Sequence, residues 1–177
     1  MENIQIKRVT LSHIALLQKI GRQTFHETFS SENTEENMKK YLEEGFSIDK
    51  LTTELKNEFS AFYFAILGEK VIGYLKLNMG PSQTEIQDQN ALEIERIYVL
   101  QDFYGKKVGQ LLFEKAMRIA HEKNVNYVWL GVWEKNLRAI RFYQKNGFVE
   151  FDRHIFSLGD EEQTDLMMKL ELKEKNR

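Results

Sequence analysis

The chain has 177 residues, 42% of them apolar and 29% charged, with a net charge of −2 and no cysteine. That is enough for one packed domain, read here as residues 1–177, and short of two. The missing cysteine excludes disulfides, thiolate metal sites and a thiol nucleophile. The balanced charge gives no field that would draw in nucleic acid. No apolar run approaches the roughly 18 residues of a membrane span. Met1-Glu2-Asn3 lacks a basic segment leading into an apolar one, so the expectation is a cytoplasmic protein with no membrane partner. The histidines His13, His26, His121 and His154 fall at no ligand spacing, so no metal is expected.

Residues Ile4 to Val9 alternate apolar and polar and read as a strand. Leu11 to Phe29 carries Ile14, Leu17, Ile20, Phe25 and Phe29 at helical spacing, with Thr10 or Ser12 placed to cap it. Shorter helices follow at Glu35–Glu44 and Asp49–Asn57. Ala61–Leu67 and Val71–Met79 read as a hairpin about Gly68-Glu69-Lys70. After a polar loop, Gly80 to Asn90, comes a strand at Leu92–Val99 and an amphipathic helix at Val108–Lys123. Tyr127–Trp133 is a nearly continuous apolar strand, the pattern of one covered on both faces. A helix at Asn136–Asn146 stops at Gly147, and two strands, Phe148–Leu158 and Thr164–Leu172, flank a turn at Gly159-Asp160-Glu161-Glu162. The β-α-β unit from Leu92 to Trp133 should be parallel and right-handed, in a mixed sheet with helices on both sides.

Two stretches invite a functional reading. Between Glu27 and Glu58 stand nine acids against four lysines, which reads either as a solvated helical face or as an acidic rim for a cationic substrate. The strand at Leu92–Val99 breaks its own period: Leu92 and Ile94 share one face, Ile97 and Val99 the other. Either both faces are covered, or an extra residue sits near Glu95–Arg96 as a β-bulge. A bulge frees backbone groups that could bind an extended amide chain as an added strand would. Glu93 and Glu95 could pair with Arg96 or nearby lysines. If half-buried, they would have carboxyls raised by desolvation toward the range of a general base.

Tyr104-Gly105-Lys106-Lys107-Val108-Gly109-Gln110 then runs into a helix. Strand, glycine loop and helix start are arranged to bind phosphate, since loop amides and the helix dipole aim at one spot. Lys106 and Lys107 can add charged contacts. The pattern is neither a nucleotide P-loop nor a Rossmann fingerprint, and an ordinary β-α turn stays open as its reading. Asn136 and Tyr143 lie two turns apart on one helix face, with small Ala139 between them leaving room for a ligand. Asn136 can equally be an N-cap, and Tyr143 a packing residue with a polar tip.

Asn136, Ala139, Tyr143 and Gly147-Phe148, with the glycine loop, resemble the GNAT superfamily of acetyl-CoA-dependent N-acetyltransferases over nearly the whole chain. The loop is similar to that family's Arg/Gln-x-x-Gly-x-Gly/Ala motif, with Tyr104 in the first place, Lys107 in the fourth and Gly109 in the sixth, so two of the three fixed positions depart. Leu92–Val99, Trp129–Glu134 and Gly159–Asp165 are similar to the PaiA-type group, associated with acetylation of spermidine and spermine. The resemblance implies an α/β (α+β) fold, a mostly antiparallel sheet of about seven strands around a parallel cofactor unit. It implies acetyl-CoA as donor, with Ile97, Tyr98 and Val99 holding thioester and pantetheine by their backbone and Tyr104 to Gln110 (Val108 included) holding the pyrophosphate. Asn136 would bond the pantetheine arm beside Ala139, and Lys145 would reach the phosphates. Tyr143 would protonate the departing thiolate; Glu95, or second Glu93, would be the base.

The implied acceptor is a small cationic amine, mostly protonated at neutral pH on the scale of lysine's pKa of about 10.4, so a base is required. A protein or peptide amine is the variant within this class. A non-catalytic acyl-CoA sensor is the alternative outside it, motivated by the altered loop. The sequence leaves a homodimer open.

Overall fold

The computed structural model describes residues 3–172. Seven strands form one sheet: β1 (Ile4–Arg8), β2 (Ser60–Leu67), β3 (Lys70–Met79), β4 (Ala91–Val99), β5 (Tyr127–Trp133), β6 (Val149–Leu158) and β7 (Glu161–Glu171). Their spatial order is β1-β2-β3-β4-β5-β7-β6, antiparallel throughout except for the parallel pair β4–β5. Five α-helices accompany them: α1 (Ile14–Phe29), α2 (Glu35–Gly45), α3 (Ile48–Lys56), α4 (Val108–Glu122) and α5 (Leu137–Lys145). No helix among the described residues is long and apolar enough to cross a membrane.

The helices start and stop where side chains satisfy their free ends. Thr34 and Ser47 accept from the backbone N–H of Asn37 and Lys50, each at 3.1 Å, and open α2 and α3. The predicted helix at Leu11 begins instead with a 3-10 turn over Leu11–His13, and the α-helix proper starts at Ile14. The last hairpin turns on Gly159-Asp160 alone, Gly159 at φ +64°, so Glu161 and Glu162 belong to β7 and not to the turn.

The out-of-phase strand has a definite cause. Lys76 faces Arg96 and Leu77 faces Ile94, which leaves Glu95 as the extra residue of a bulge in β4. The bulge puts Leu92, Ile94, Ile97 and Val99 back on one face, against α4. The other face carries Glu93, Arg96 and Tyr98, opposite Asn78, Lys76 and Tyr74 of β3. It also ends a pairing. β4 and β5 are bonded from Ala91–Tyr127 only to Ile94–Leu130. Beyond that, β4 stays with β3 as far as Val99, and β5 stays with β7 as far as Trp133. The sheet therefore parts at its centre, and the facing backbone edges of the two strands lose their ladder partners.

On the face away from α4, α1 packs close. A Cβ on Gly21 would come within 2.7 Å of the Phe46 ring, so only glycine lets that ring lie against the helix. Phe25 stacks on Phe29 and on Tyr41, and Phe29 packs on Trp133 at the end of β5, so α1 and α2 roof the parted strands with aromatic rings.

Candidate active site

Under that roof lies a cavity of about 330 Å³, bounded by both parted strands, by β6 and β7, and by Asn136, Ala139 and Tyr143 of α5 and its start. A shallower groove of about 460 Å³ meets it at Trp133 and Asn136 and runs past Tyr104 and Arg138. The buried indole N–H of Trp133 has no hydrogen-bond partner among the described residues, which leaves a donor at the junction of the two.

The wall along β3 and β4 is built from charges that satisfy one another. Lys76, buried in mid-strand, binds Glu95 at 2.7 Å and Glu54 of α3 at 3.3 Å. Arg96 reaches the same two carboxylates at 3.3 and 3.1 Å. Asn78, held by the Ser60 hydroxyl, gives its amide to both Glu93 and Glu95. Glu93 also receives the Thr84 backbone N–H at 2.8 Å and its hydroxyl at 2.6 Å.

The two carboxylates consequently part company. Burial pushes the Glu93 carboxyl up, against the hydrogen bonds of Asn78 and Thr84. At Glu95 burial also acts upward, but Arg96, Lys76 and Asn78 outweigh it and hold the carboxyl at about 2. The expectation of a raised carboxyl thus holds at Glu93 and fails at Glu95. A group held that far down is a weak proton acceptor at neutral pH.

The opposite wall is different. Asp165 of β7 pairs in register with Trp133 on one side and with His154 of β6 on the other. Its Oδ2 lies over Gly131, only 3.2 Å from where a Cβ would stand. Burial pushes this carboxyl up to about 6, with His154 pulling the other way. His154 itself contacts Glu85 at 3.4 Å.

Tyr143 is buried against Phe142 and Phe148 and lines the cavity; its hydroxyl makes no hydrogen bond among the described residues. Burial pushes its pKa above the ordinary tyrosine value, so it stays protonated through the neutral range. Asn136 is both things its sequence allowed. Its Oδ1 caps α5 by accepting from Ala139 N–H at 3.2 Å, and its side chain lines both cavity and groove.

In the glycine loop Gly105 takes φ +79° and Lys107 φ +65°. Lys107 is thus a lysine in the left-handed region that glycine occupies freely, and it is the residue from which α4 starts. Lys106 and Lys107 are exposed, and Val108 is buried beneath them. Nothing lies within 4 Å of a Cβ at Gly105, and at Gly109 only Val99 does, at 3.9 Å. Gln110 turns to Glu114. Arg138 lies 3.6 Å over the Tyr104 ring and so brings a guanidinium to the loop's first position. Lys145 is exposed near the end of α5, a turn past Phe142, and lines neither cavity nor groove.

Residues 22–148 match the model of the acetyltransferase (GNAT) family. The chain belongs to that family. It is 40% identical to an uncharacterized N-acetyltransferase in the pepI 3′ region of Lactobacillus delbrueckii subsp. lactis, over 96% of this chain and 98% of the relative. It is 25% identical to a spermidine N(1)-acetyltransferase of Thermoplasma acidophilum, over 82% of this chain and 88% of that one. Among solved structures, the PaiA N-acetyltransferase of T. acidophilum in complex with coenzyme A superposes at TM-score 0.79, with 24% identity and coverage of 96% and 99%.

The protein is therefore an acetyl-CoA-dependent N-acyltransferase on the GNAT fold. The donor is consistent with what the chain offers: two unladdered strand edges for an amide chain, a loop and helix start for phosphates, and a free indole N–H between them. No group of three or more His, Asp or Glu among the described residues could hold a metal.

Of the acids between Glu27 and Glu58, Glu54 alone lines the cavity, and it is spent on Lys76 and Arg96; Glu27 and Glu32 border the groove. Glu35, Glu36, Glu43 and Glu44 are the solvated face. Sequence reasoning passed over Asn78, Lys76, Thr84 and Asp165. Lys76 carried a signal, a charge in the middle of an apolar strand.

Proposed function

We propose that this chain, acting as one domain of a cytoplasmic protein, transfers acetyl from acetyl-CoA to a primary amine of a small cationic acceptor of the polyamine class. One observation carries the reading: the cavity beside the parted strands joins carboxylates to aromatic faces. Ammonium groups are bound by that combination, through charge and through ring quadrupoles, while a methylene chain lies on the rings. The 25% identity to a spermidine acetyltransferase supports it.

In this reading the backbone of Ile97, Tyr98 and Val99 aligns the donor's amide chain, and Tyr104 to Gln110 with Arg138 receives the phosphates. Asn136 adds its free amide hydrogens. Acetyl-CoA supplies an activated thioester. Bulge amides near Glu95 polarise the carbonyl under attack. Tyr143 donates a proton to the departing sulfur. Because burial makes its phenolate unfavourable, the proton must be replaced in the same step, and the nitrogen being acylated supplies it. Glu93 and Glu95 fix the shape of the wall through their bonds to Lys76, Arg96, Asn78 and Thr84.

The test is to mix the protein with acetyl-CoA and a panel of spermidine, spermine, putrescine, lysine and peptides. Free thiol is followed, and products are identified by liquid chromatography. The chain has no cysteine, so every thiol detected is CoA. Acetylated polyamine is expected. Acetylation of peptides alone would move the acceptor to protein amines. Tight CoA binding without transfer to any amine would make the chain a sensor.

A further inference from the structure

Five carboxylates line the cavity, and four of them are engaged. Glu54 and Glu95 are locked with Lys76 and Arg96, Glu93 is held by Thr84 and Asn78, and Glu85 faces His154. Asp165 makes no side-chain hydrogen bond or ion pair among the described residues, although it is largely enclosed. Gly131 leaves the space its oxygen occupies, and the register puts it beside Trp133, where cavity and groove join. From these placements we infer that Asp165 is the general base that takes the proton from the incoming ammonium. This rests on the proposed transfer to an amine.

The balance of the step is simple. The substrate ammonium gives one proton to the Asp165 carboxylate, and the freed nitrogen lone pair forms the C–N bond to the thioester carbonyl. The C–S bond breaks, sulfur takes the Tyr143 proton, and Tyr143 regains a proton from the acylated nitrogen. Asp165 then releases its proton to water. The products are the amide, CoA thiol and one proton.

The surroundings of Asp165 suit the task. From β6 comes His154, backed by Glu85 of the loop before β4; just past the end of β5 stands Glu134, which is tied to Arg153. Across the cavity stand Tyr41 of α2 and Tyr98 of β4, both close enough to feel the Asp165 charge. Arg138 acts on Tyr143. Lys76 and Arg96 are already matched by Glu54 and Glu95, and Lys50 of α3, the other cation lining the cavity, makes no ion pair with Asp165 among the described residues. A carboxyl at about 6 is ionised at neutral pH and still basic enough to receive a proton.

The experiment is the pH dependence of kcat/KM, on whichever amine of the panel is turned over, for wild type, Asp165→Asn, Asp165→Glu and His154→Gln, with CoA affinity measured separately. Wild type should plateau between an acid limb near 6 and the amine's own pKa. Asp165→Asn should fall about 100-fold or more at pH 7.5 and climb with pH as the amine deprotonates itself, with CoA binding unchanged. Asp165→Glu should restore part of the rate, and His154→Gln should move the acid limb upward, since His154 holds the carboxyl down. The melting point of Asp165→Asn at pH 7.5 should be unchanged or higher, because the enclosed Asp165 charge opposes folding. An Asp165→Asn enzyme within about threefold of wild type, with the acid limb intact, overturns the assignment. Wild type inert on every amine overturns the amine-transfer reading and this inference with it, a failure visible before any variant is made.

Discussion

Two walls of one cavity each carry carboxylates, and they treat them in opposite ways. Along β3 and β4, Glu95 is surrounded by Lys76, Arg96 and Asn78, and its carboxyl is held at about 2. Along β6 and β7, Asp165 makes no side-chain hydrogen bond or ion pair among the described residues, His154 alone pulls its carboxyl down, and burial raises it to about 6. Burial acts upward on both, so the number of donors around each decides the outcome. The paired wall is scaffold, and the unpaired wall is where a proton can move.

Tyr143 lines the cavity between the two walls and offers the largest effect. Tyr143→Phe should lower kcat by roughly 10²- to 10⁴-fold with little change in CoA affinity, because only the proton at the leaving sulfur is lost. Retention of wild-type kcat would break the assignment of proton traffic to this side of the cavity.

Next is the paired wall itself. Glu95→Ala leaves Lys76 and Arg96 with one carboxylate between them. Removing a partner from a buried ion network costs about 3–5 kcal/mol, and the lower end applies since the Glu95 side chain is 21% exposed. Denaturant melts should show this loss, and Glu95→Gln, which keeps the shape, should show less. Should Glu95→Gln instead erase the acid limb of kcat/KM at unchanged stability, the two walls would have to exchange roles.

A third test uses pH alone. Glu95 has a folded pKa below its ordinary 4.5, so it contributes stability above that value, lost as pH falls toward about 2. Asp165 is raised from 3.8 to about 6, so ionising it opposes folding, and that penalty disappears as pH falls through this window. Stability carried by these two groups should therefore rise slightly from pH 7 to 4.5 and drop below it. Comparing the Asp165→Asn and Glu95→Gln variants across that range separates the parts.

The smallest effect lies in the glycine loop. A non-glycine residue in the left-handed region costs about 1–2 kcal/mol, and glycine's extra freedom when unfolded returns about 0.4–1 kcal/mol of that. Lys107→Gly should thus raise stability by about 0.5 kcal/mol, read from thermal melts. A destabilised Lys107→Gly would mean that the lysine side chain holds the loop.

Much of the architecture was legible from local pattern. Every strand and helix was placed to within a few residues, because each buries one face and its apolar period shows in the chain. The misplacements came at ends: the 3-10 start at Leu11 and the tight Gly159-Asp160 turn are decided by single backbone geometries that composition does not encode. In the site, Asn136 and Tyr143 were legible from their helical spacing, and the bulge from the broken alternation of β4. Asp165 was not, since an acid in a polar strand looks like any solvated residue until another strand places Gly131 beneath it.

The bulge marks the division most clearly. The sequence by itself offered two readings of the broken alternation, a strand covered on both faces or a surplus residue near Glu95, and the register shows the surplus residue, which puts Leu92, Ile94, Ile97 and Val99 on one face. The sequence determined the helix face shared by Asn136, Ala139 and Tyr143 and, through these, the family. Only the tertiary structure decided which carboxylates are spent. Lys76 and Asn78 reach Glu95 from another strand, Glu54 shares the cations Lys76 and Arg96 with it, and none of these pairs with Asp165 among the described residues. A carboxyl's basicity is set by the donors and solvent around it, and that environment exists only after distant segments have packed together.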